Sequence, residues 1–599
     1  MPDTDRQAHG WVALSLAALT VGFHLYVAFS GLIPNLVTRP LHLAVAIPFV
    51  FFVGLTAGRG KASRWSGYAV GAAGLLACLY IVVNREALIH QYGTLVGPGQ
   101  YLVAGVLILS VLEMARRAIK VVLPTVALLV LAYGWFGGWI PGYFGHGGLG
   151  PAYLLGSLTI TEGGLWGTLT GASVNTIALF VILGGFISAG QAGAGFMAFA
   201  TQLAGRLRAG AAQVAVLSSA FYGTISGVAA ANTATTGMVT IPAMKRLGYP
   251  RSIAGAVEAV ASTGGQILPP VMGAGVFVMA ELLRMPYTEI MVAAILPAVL
   301  FFVTTWGGLY YFAVRYDLPA LPADQLPGWP AVARALPFFL VPFSILAGTL
   351  AFTDYTLAYA AVYATGATWL TLAFEPDGRP SLRGWAARTA DALTIAARQV
   401  ATIAAVIICA GIVIGVFNLT GLGVKLTSLI VGASGGTLWI ALLLTALASL
   451  VLGMELPTTA AYVICAAVAA PALTEMGVPD LYAHLFVFWY ALLCTITPPV
   501  CGNVFIAASI AETPWLPVAG NALRLGVGLF VVPLAFIANP ALLELAQQPL
   551  LALAAAVKIG IGLLAISYAI VGWRRRRLAE AGRPVALAIG LGVVFTYGF

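Results

Sequence analysis

Long apolar runs dominate the chain, separated by short polar or basic stretches. Those at about 11–30, 41–57, 66–83, 99–115 and 121–139 each approach the roughly 20 residues that carry a helix across a hydrocarbon core. The runs are continuous rather than alternating, which predicts spanning helices and argues against a transmembrane β-barrel. A loop near 140–156 carries no Lys or Arg, and a further helix is expected near 172–192. The fold class that follows is an all-α polytopic membrane protein.

Basic residues sit in clusters between the runs: Arg59/Lys61/Arg64, Arg116/Arg117/Lys120, Arg206/Arg208, Lys245/Arg246/Arg251, Arg379/Arg383/Arg388 and Arg574 to Arg577. Positive clusters mark cytoplasmic loops, so the first five runs alternate from a cytoplasmic N-terminus. Between Arg206/Arg208 and Lys245/Arg246 the alternation fails. About 14 apolar residues, Ala212 to Ile225, lead into SGVAAANTATTG (Ser226 to Gly237), and about a dozen lead out. Fourteen helical residues reach roughly 21 Å, short of a core about 30 Å thick. Two short helices meeting at a polar tip are therefore expected, a re-entrant hairpin over about 211–244 whose tip faces protein or a water-filled cavity.

The same pattern returns later in the chain. Gly227 aligns with Gly453, Gly248–Pro250 with Gly477–Pro479, and ASTGGQILPPVMG (Ala261–Gly273) with LCTITPPVCG (Leu493–Gly502). A second hairpin is expected over about 437–473. No Lys or Arg lies between Lys425 and Arg524, so this hairpin is expected to be flanked by external loops. Two similar halves of opposite orientation make an inverted-topology repeat, a signature of secondary transporters.

Broken helices carry ion chemistry, because one half-helix ends in free carbonyls and the next begins with free N–H groups. Thr224, Ser226, Gly227, Asn232 and Thr233 belong to the first tip; Gly453, Glu455, Thr458 and Thr459 to the second, where Pro457 suits a first helical turn. The breaks at Pro269/Pro270 and Pro498/Pro499 free carbonyls beside Ser262, Thr263 and Gly264 in one half and Thr495 and Thr497 in the other. Pairing each tip with its break gives two candidate oxygen-lined cation cages. Single hydroxyls can instead bond back to their own helix. Glu258 and Glu455 are intramembrane acids and candidates for proton or ion coupling or for a structural role. Asn232, Thr233, Gln266, Thr458 and Thr459 are candidate substrate contacts.

Composition narrows the classes further. Of 599 residues, 60% are hydrophobic and 8% charged, far from the roughly 25% charged of soluble domains. The net charge of +9 lies in the loop clusters, not on a solvated nucleic-acid-binding domain. Cys78, Cys409, Cys465, Cys494 and Cys501 sit unpaired in apolar segments, and the histidines are scattered without metal-ligand spacing. GASGG at Gly432–Gly436 lacks a strand-to-helix context, and Gly60–Lys61 lacks a P-loop frame. Neither an enzyme nor a cofactor is expected.

SGVAAANTATTGMVTIPAMKRLGYP, GAVEAVASTGGQILPPVMGAGVFVMAE, LPTTAAYVICAAVAAPALTEMGVPDLYAHLFVFWYALLCTITPPV and ALRLGVGLFVVPLAFIANPALL closely resemble the large permease subunit of TRAP (tripartite ATP-independent periplasmic) transporters. The likeness is greatest to fused permeases that work with TAXI-type binding proteins. It covers about 155–545, with 1–140 resembling a fused small subunit and 546–599 a C-terminal extension of one span, an Arg cluster and a short apolar segment. The resemblance implies an elevator-type transporter of the bacterial inner membrane, in which a moving domain holding both hairpins slides against a scaffold. A periplasmic binding protein would deliver a small organic anion, and a cation gradient, usually Na⁺, would drive uptake. Implied ion sites fall on Ser226–Asn232 with Ser262–Gly264, and on Gly453–Thr459 with Thr495–Pro498. Val228 and Glu455 depart from the family pattern, losing a hydroxyl and gaining a carboxylate, which brings H⁺ forward as coupling ion. The alternative is a stand-alone cation-coupled carrier of divalent anions.

Overall fold

A computed structural model describes residues 3–53, 61–375, 378–454, 456–572 and 581–596. Glu455, Arg59 and the Arg574 to Arg577 cluster lie outside the described residues. Among the described residues nine helices are long and apolar enough to cross a membrane. The five N-terminal runs form helices Asp3–Phe29, Asn35–Phe51, Lys61–Val83, Gly97–Ile119 and Val122–Phe136. The second starts well before its apolar run, because Pro34 supplies an extended residue ahead of it and Pro40 is accepted inside. The segment expected as one helix near 172–192 is interrupted: Thr168–Ala172 passes through a π turn, Ser173–Ile177, into Ala178–Ala189.

The chain divides into two compact units. The first holds Met1–Gly190, Phe277–Leu282 and Val341–Ala433. Its axis is the 39-residue helix Leu382–Thr420, whose Ala392, Ala396 and Val400 form a buried stripe with Ala178, Ile182 and Phe186. A Cβ on Gly185 would stand 2.8 Å from the Ala396 backbone, so small residues let these helices touch, as is common in membranes. Arg39 pairs with Glu162 at 3.2 Å and donates to the Trp166 carbonyl.

The second unit holds Gln191–Val276, Leu283–Leu340 and Ser434–Phe599, and so contains both expected hairpins and both Pro-Pro breaks. The first hairpin is Gly210–Ser226 followed by Ala229–Arg246; the second is Leu438–Leu452 followed by Thr458–Val468. Both then close on the same backbone turn. Gly248 and Gly477 have φ of +83° and +86°. Tyr249 N–H reaches back to Met244 O at 3.1 Å, and Val478 N–H to Leu473 O at 3.0 Å. Pro250 and Pro479 then open helices Arg251–Gly264 and Asp480–Leu493. The peptide bonds Pro269–Pro270 and Pro498–Pro499 are both cis. The C-terminal extension supplies the span Pro549–Val571 and the shorter helix Arg583–Phe595, with Gly562 against Gly590.

Candidate functional site

The first tip is tighter than its polarity predicted. Only Gly227 and Val228 lie outside helix, so Asn232 and Thr233 sit within the first turns of Ala229–Arg246 rather than in a loop. Helix propensity disfavours Asn and Thr, yet tertiary bonds reward them here: Asn232 Nδ2 donates to Ser219 O at 2.8 Å across the hairpin. Gly227 ends the first helix at φ +59°, a left-handed conformation that glycine adopts without steric cost.

The break is pressed onto this tip. A Cβ on Gly223 would fall 2.5 Å from Gly265 Cα, so the two backbones meet at a glycine-glycine contact. Gln266 is fully buried, and the amide orientation that satisfies both its ends spans three groups. Its nitrogen donates to Gly227 O at 3.2 Å and Thr458 Oγ1 at 2.9 Å, and its oxygen accepts from Ala229 N–H at 3.0 Å. Gln266 thus joins the first tip to the start of the second hairpin's returning helix. Two hydroxyl oxygens here, Ser226 Oγ and Thr233 Oγ1, are buried and have no partner among the described residues. Buried polar atoms are normally satisfied, so this pair is equipped to receive a ligand. Thr224 instead donates to Phe221 O at 2.7 Å.

Glu258 is completely buried, and its partners among the described residues are hydroxyls. Ser219 donates to Oε1 at 2.7 Å and Ser262 at 3.1 Å; Thr240 donates to Oε2 at 2.5 Å, and Thr236 also donates to Oε1. These groups come from Gly210–Ser226, Ala229–Arg246 and Arg251–Gly264, so one acid ties both arms of the hairpin to the following helix. Asn232 O at 2.8 Å and Asn232 Oδ1 at 3.2 Å are alternative acceptors for the one Thr236 proton, which links the network to the tip.

The second tip is longer and differently made. Gly453 has φ −78°, an ordinary helical value, so the sharp turn expected of it is not used. Space keeps it small: a Cβ would lie 3.0 Å from Ser449 O and 3.1 Å from Cys494 Sγ. Pro457 stands just before the returning helix rather than inside its first turn, and the helix start has no side-chain cap. Thr458 therefore does not cap; it meets Gln266. Thr495 and Thr497 donate to Leu492 O and Leu493 O, each at 2.7 Å. Each break lies against its own tip, Gly265 on Gly223 and Cys494 beside Gly453.

The breaks also meet each other, which sequence reasoning did not foresee. Thr263 Oγ1 lies 3.1 Å from Thr495 Oγ1. Asn503, 1% exposed, donates from Nδ2 to Thr263 Oγ1 at 2.8 Å and from its backbone N–H to Thr495 O at 3.1 Å. Asn503, Ser219, Thr236 and Thr240 were all missed. The i, i+4, i+8 spacing of Asn232, Thr236 and Thr240 puts them on one helix face, a legible signal. For Asn503 nothing but its polarity just past the break was available.

Discontinuous helices, paired breaks and partnerless buried hydroxyls in a many-span membrane protein define a permease class. Residues 106–551 match the family described as tripartite ATP-independent periplasmic transporter, DctM component, and the chain belongs to that family. It is 25% identical to the C4-dicarboxylate TRAP transporter large permease protein DctM of Pseudomonas aeruginosa, over 60% of this chain and 82% of that one. It is 26% identical to the ectoine/5-hydroxyectoine large permease UehC of Ruegeria pomeroyi, over 37% of this chain and 50% of the relative. A segment is 32% identical to the isethionate permease DctMQ of Oleidesulfovibrio alaskensis, over 16% of this chain and 15% of the relative. The role is transport, not catalysis.

Proposed function

We propose that the chain is the fused membrane component of a TRAP system of the TAXI type. It takes up a small organic anion handed over by a periplasmic binding protein, using a Na⁺ or H⁺ gradient across the bacterial inner membrane. The first 140 residues act as the fused small subunit, the N-terminus is cytoplasmic, and the hairpins form an inverted repeat that moves as an elevator. The observation that carries this reading is the assembly around Gln266. Two broken helices meet there, and in the same tip the Ser226 and Thr233 hydroxyls have no partner among the described residues. Carbonyls at the tip and break suit a cation, and the N–H ends and hydroxyls suit a carboxylate. Relatives named for C4-dicarboxylate and isethionate accord with an anionic substrate.

The test is uptake in proteoliposomes, with and without the cognate binding protein, in Na⁺ against choline buffer across pH. Uptake that requires the binding protein and one cation gradient is expected. Thr458→Ala with Thr497→Ala should reduce it at least tenfold. Full cation-driven uptake by that double variant would exclude the second cage.

A further inference from the structure

The second unit holds an apolar cavity of about 660 Å³ that the site around Gln266 does not use. Phe221 of the first hairpin and Leu268 at the first break line one end, Val303 and Trp306 the long side, and Leu564 of the C-terminal extension the far wall. Gly307 lets that wall close, because a Cβ there would collide with the Leu564 side chain. Val299, Val303 and Tyr310, which line the cavity, are also exposed. Helices Tyr287–Tyr316 and Pro549–Val571 are both long and apolar enough to cross a membrane, so the cavity opens sideways toward hydrocarbon. No charged side chain lines it, and a small organic anion would find no partner there.

Length and a basic end select the occupant. Val299 and Tyr310 are separated by about 16 Å of helix, the depth of one leaflet of a hydrocarbon core about 30 Å thick. One turn beyond Tyr311, Arg315 donates to Val571 O at 2.6 Å, and Arg583 donates to Ala569 O at 2.7 Å and Ile570 O at 3.0 Å. Both guanidinium groups close on Gly572, where a Cβ would lie 2.7 Å from Arg315 Nη1 and 3.5 Å from Arg583 Cζ. Helix-end carbonyls offset this charge only in part. The acid next along the chain, Asp317, lies 3.8 Å from Arg208 instead. A guanidinium has more N–H groups than these bonds consume, and two adjacent ones with donors to spare match a phosphate.

We infer that the cavity is a phospholipid site, with one acyl chain lying along Val303 and Trp306 and the phosphate on Arg315 and Arg583. The inference needs only that these helices cross a membrane, and it stands apart from the identity of substrate and coupling ion. Bulk lipid tails are as apolar as the cavity wall, so the tail alone earns little preference over the surrounding bilayer. The arginine pair supplies it. Leu564 and Arg583 lie beyond residues 106–551, the part that matches the permease family, so the C-terminal extension completes the site. Phe221 and Leu268 set the end of the chain against the first hairpin and its break, where a filled cavity braces both.

The test reads lipid binding directly. Full chain purified in mild detergent is weighed by native mass spectrometry, then stripped by prolonged detergent washing and titrated with phosphatidylglycerol while its thermal midpoint is followed. The unmodified chain should retain a phospholipid through purification, and after stripping its midpoint should rise with phosphatidylglycerol. Arg315→Ala with Arg583→Ala should weaken the apparent affinity about 30-fold. Those arginines also hold a helix end, so Val303→Trp, which fills the cavity and leaves them in place, serves as the second variant. It should lose the retained lipid and the midpoint response together. Diacylglycerol, with the same chains and no phosphate, should give no comparable rise. Equal retention and equal midpoint curves in the unmodified and cavity-filled chains would overturn the site. A response to diacylglycerol as strong as that to phosphatidylglycerol would overturn the role of the arginines, and with it the inference.

Discussion

The two hairpin-and-break halves of the second unit share a backbone and differ in what fills it. The Pro-Pro pairs are 229 positions apart (498 − 269), and at that offset Glu258 corresponds to Val487 and Ser262 to Ala491. The tips are 226 apart (453 − 227), which places Thr445 opposite Ser219 and Ser449 opposite Gly223. In the first half Ser219 has an acid to bond. In the second the acid is replaced by valine, and Thr445 Oγ1 and Ser449 Oγ are buried without partners among the described residues. Around the Glu258 position the first half is thus a polar network about a carboxylate, whereas the corresponding positions of the second half are apolar and two hydroxyls beside them have no partner among the described residues. The shared turns specify the shape; the side chains decide how firmly each half is held.

The largest expected contrast concerns the contact between tip and break. In Gly223→Ala the new methyl would meet the Gly265 Cα at 2.5 Å, backbone on backbone with nothing flexible to yield. Overpacking of that kind costs about 3 kcal/mol. Gly453→Ala in the second tip meets Ser449 O and Cys494 Sγ at 3.0 and 3.1 Å, where small shifts relieve it at about 1 kcal/mol. Thermal midpoints of the purified variants check this, with the first falling well below the second. Equal losses would mean that the halves are packed alike.

Hydropathy made the helices legible, because burial in lipid leaves an unbroken apolar run wherever a helix crosses. The helix breaks were legible too: Gly210–Ser226 and Ala229–Arg246, and Leu438–Leu452 and Thr458–Val468, part at the polar stretches that interrupt their apolar runs. Side-chain partners were not. SGVAAANTATTG read as a polar loop because Asn and Thr are weak helix formers, but their partners, Ser219 and Glu258, lie on neighbouring helices invisible to a local reading. The expectation that single hydroxyls bond to their own helix describes Thr224, Thr495 and Thr497 well. It also describes one bond of Thr263, whose other partners come from across the repeat. Gly453 shows a different limit: glycine marked the tip correctly, for lack of room rather than for turn geometry.

A contrast of sign sharpens the comparison further. Ser219→Ala removes a donor to the buried Glu258 carboxyl and should cost about 1.5 kcal/mol. Thr445→Val removes a buried hydroxyl with no partner among the described residues while keeping its shape, and should be neutral or slightly stabilising. Unfolding in detergent, compared for the two single variants, reads the signs directly. A clear loss in Thr445→Val would show that the second half has a polar partner of its own. Glu258→Gln should be milder than Glu258→Ala, because the amide still accepts from Ser219 and Ser262 while Thr240 turns its proton to Thr236 O, 3.0 Å away.

The smallest effect lies at the exposed ends. At the 229 offset Arg251 corresponds to Asp480, and both stand in the first turn of their helices. An acid there is favoured by the helix dipole and a cation is not. Arg251 is compensated by Glu512, whose carboxylate lies 3.7 Å from it and 2.8 Å from Lys245 Nζ, and whose backbone carbonyl accepts from Arg251 at 3.0 Å. The Lys245 hydrogen bond, with the charges of Lys245 and Arg251, holds the Glu512 carboxyl below its usual range. A carboxyl depressed in the folded state contributes stability above its unfolded value and loses it as pH falls through the folded one. Glu512→Gln should therefore lower the thermal midpoint slightly near neutral pH. The gap from the unmodified chain should close on acidification below the ordinary carboxylate range, about pH 4, and also shrink in high salt. Asp480→Asn should show a dipole loss of similar size. A Glu512→Gln gap unchanged by acid or salt would mean that Glu512 acts by packing, and that Arg251 needs no neutralising.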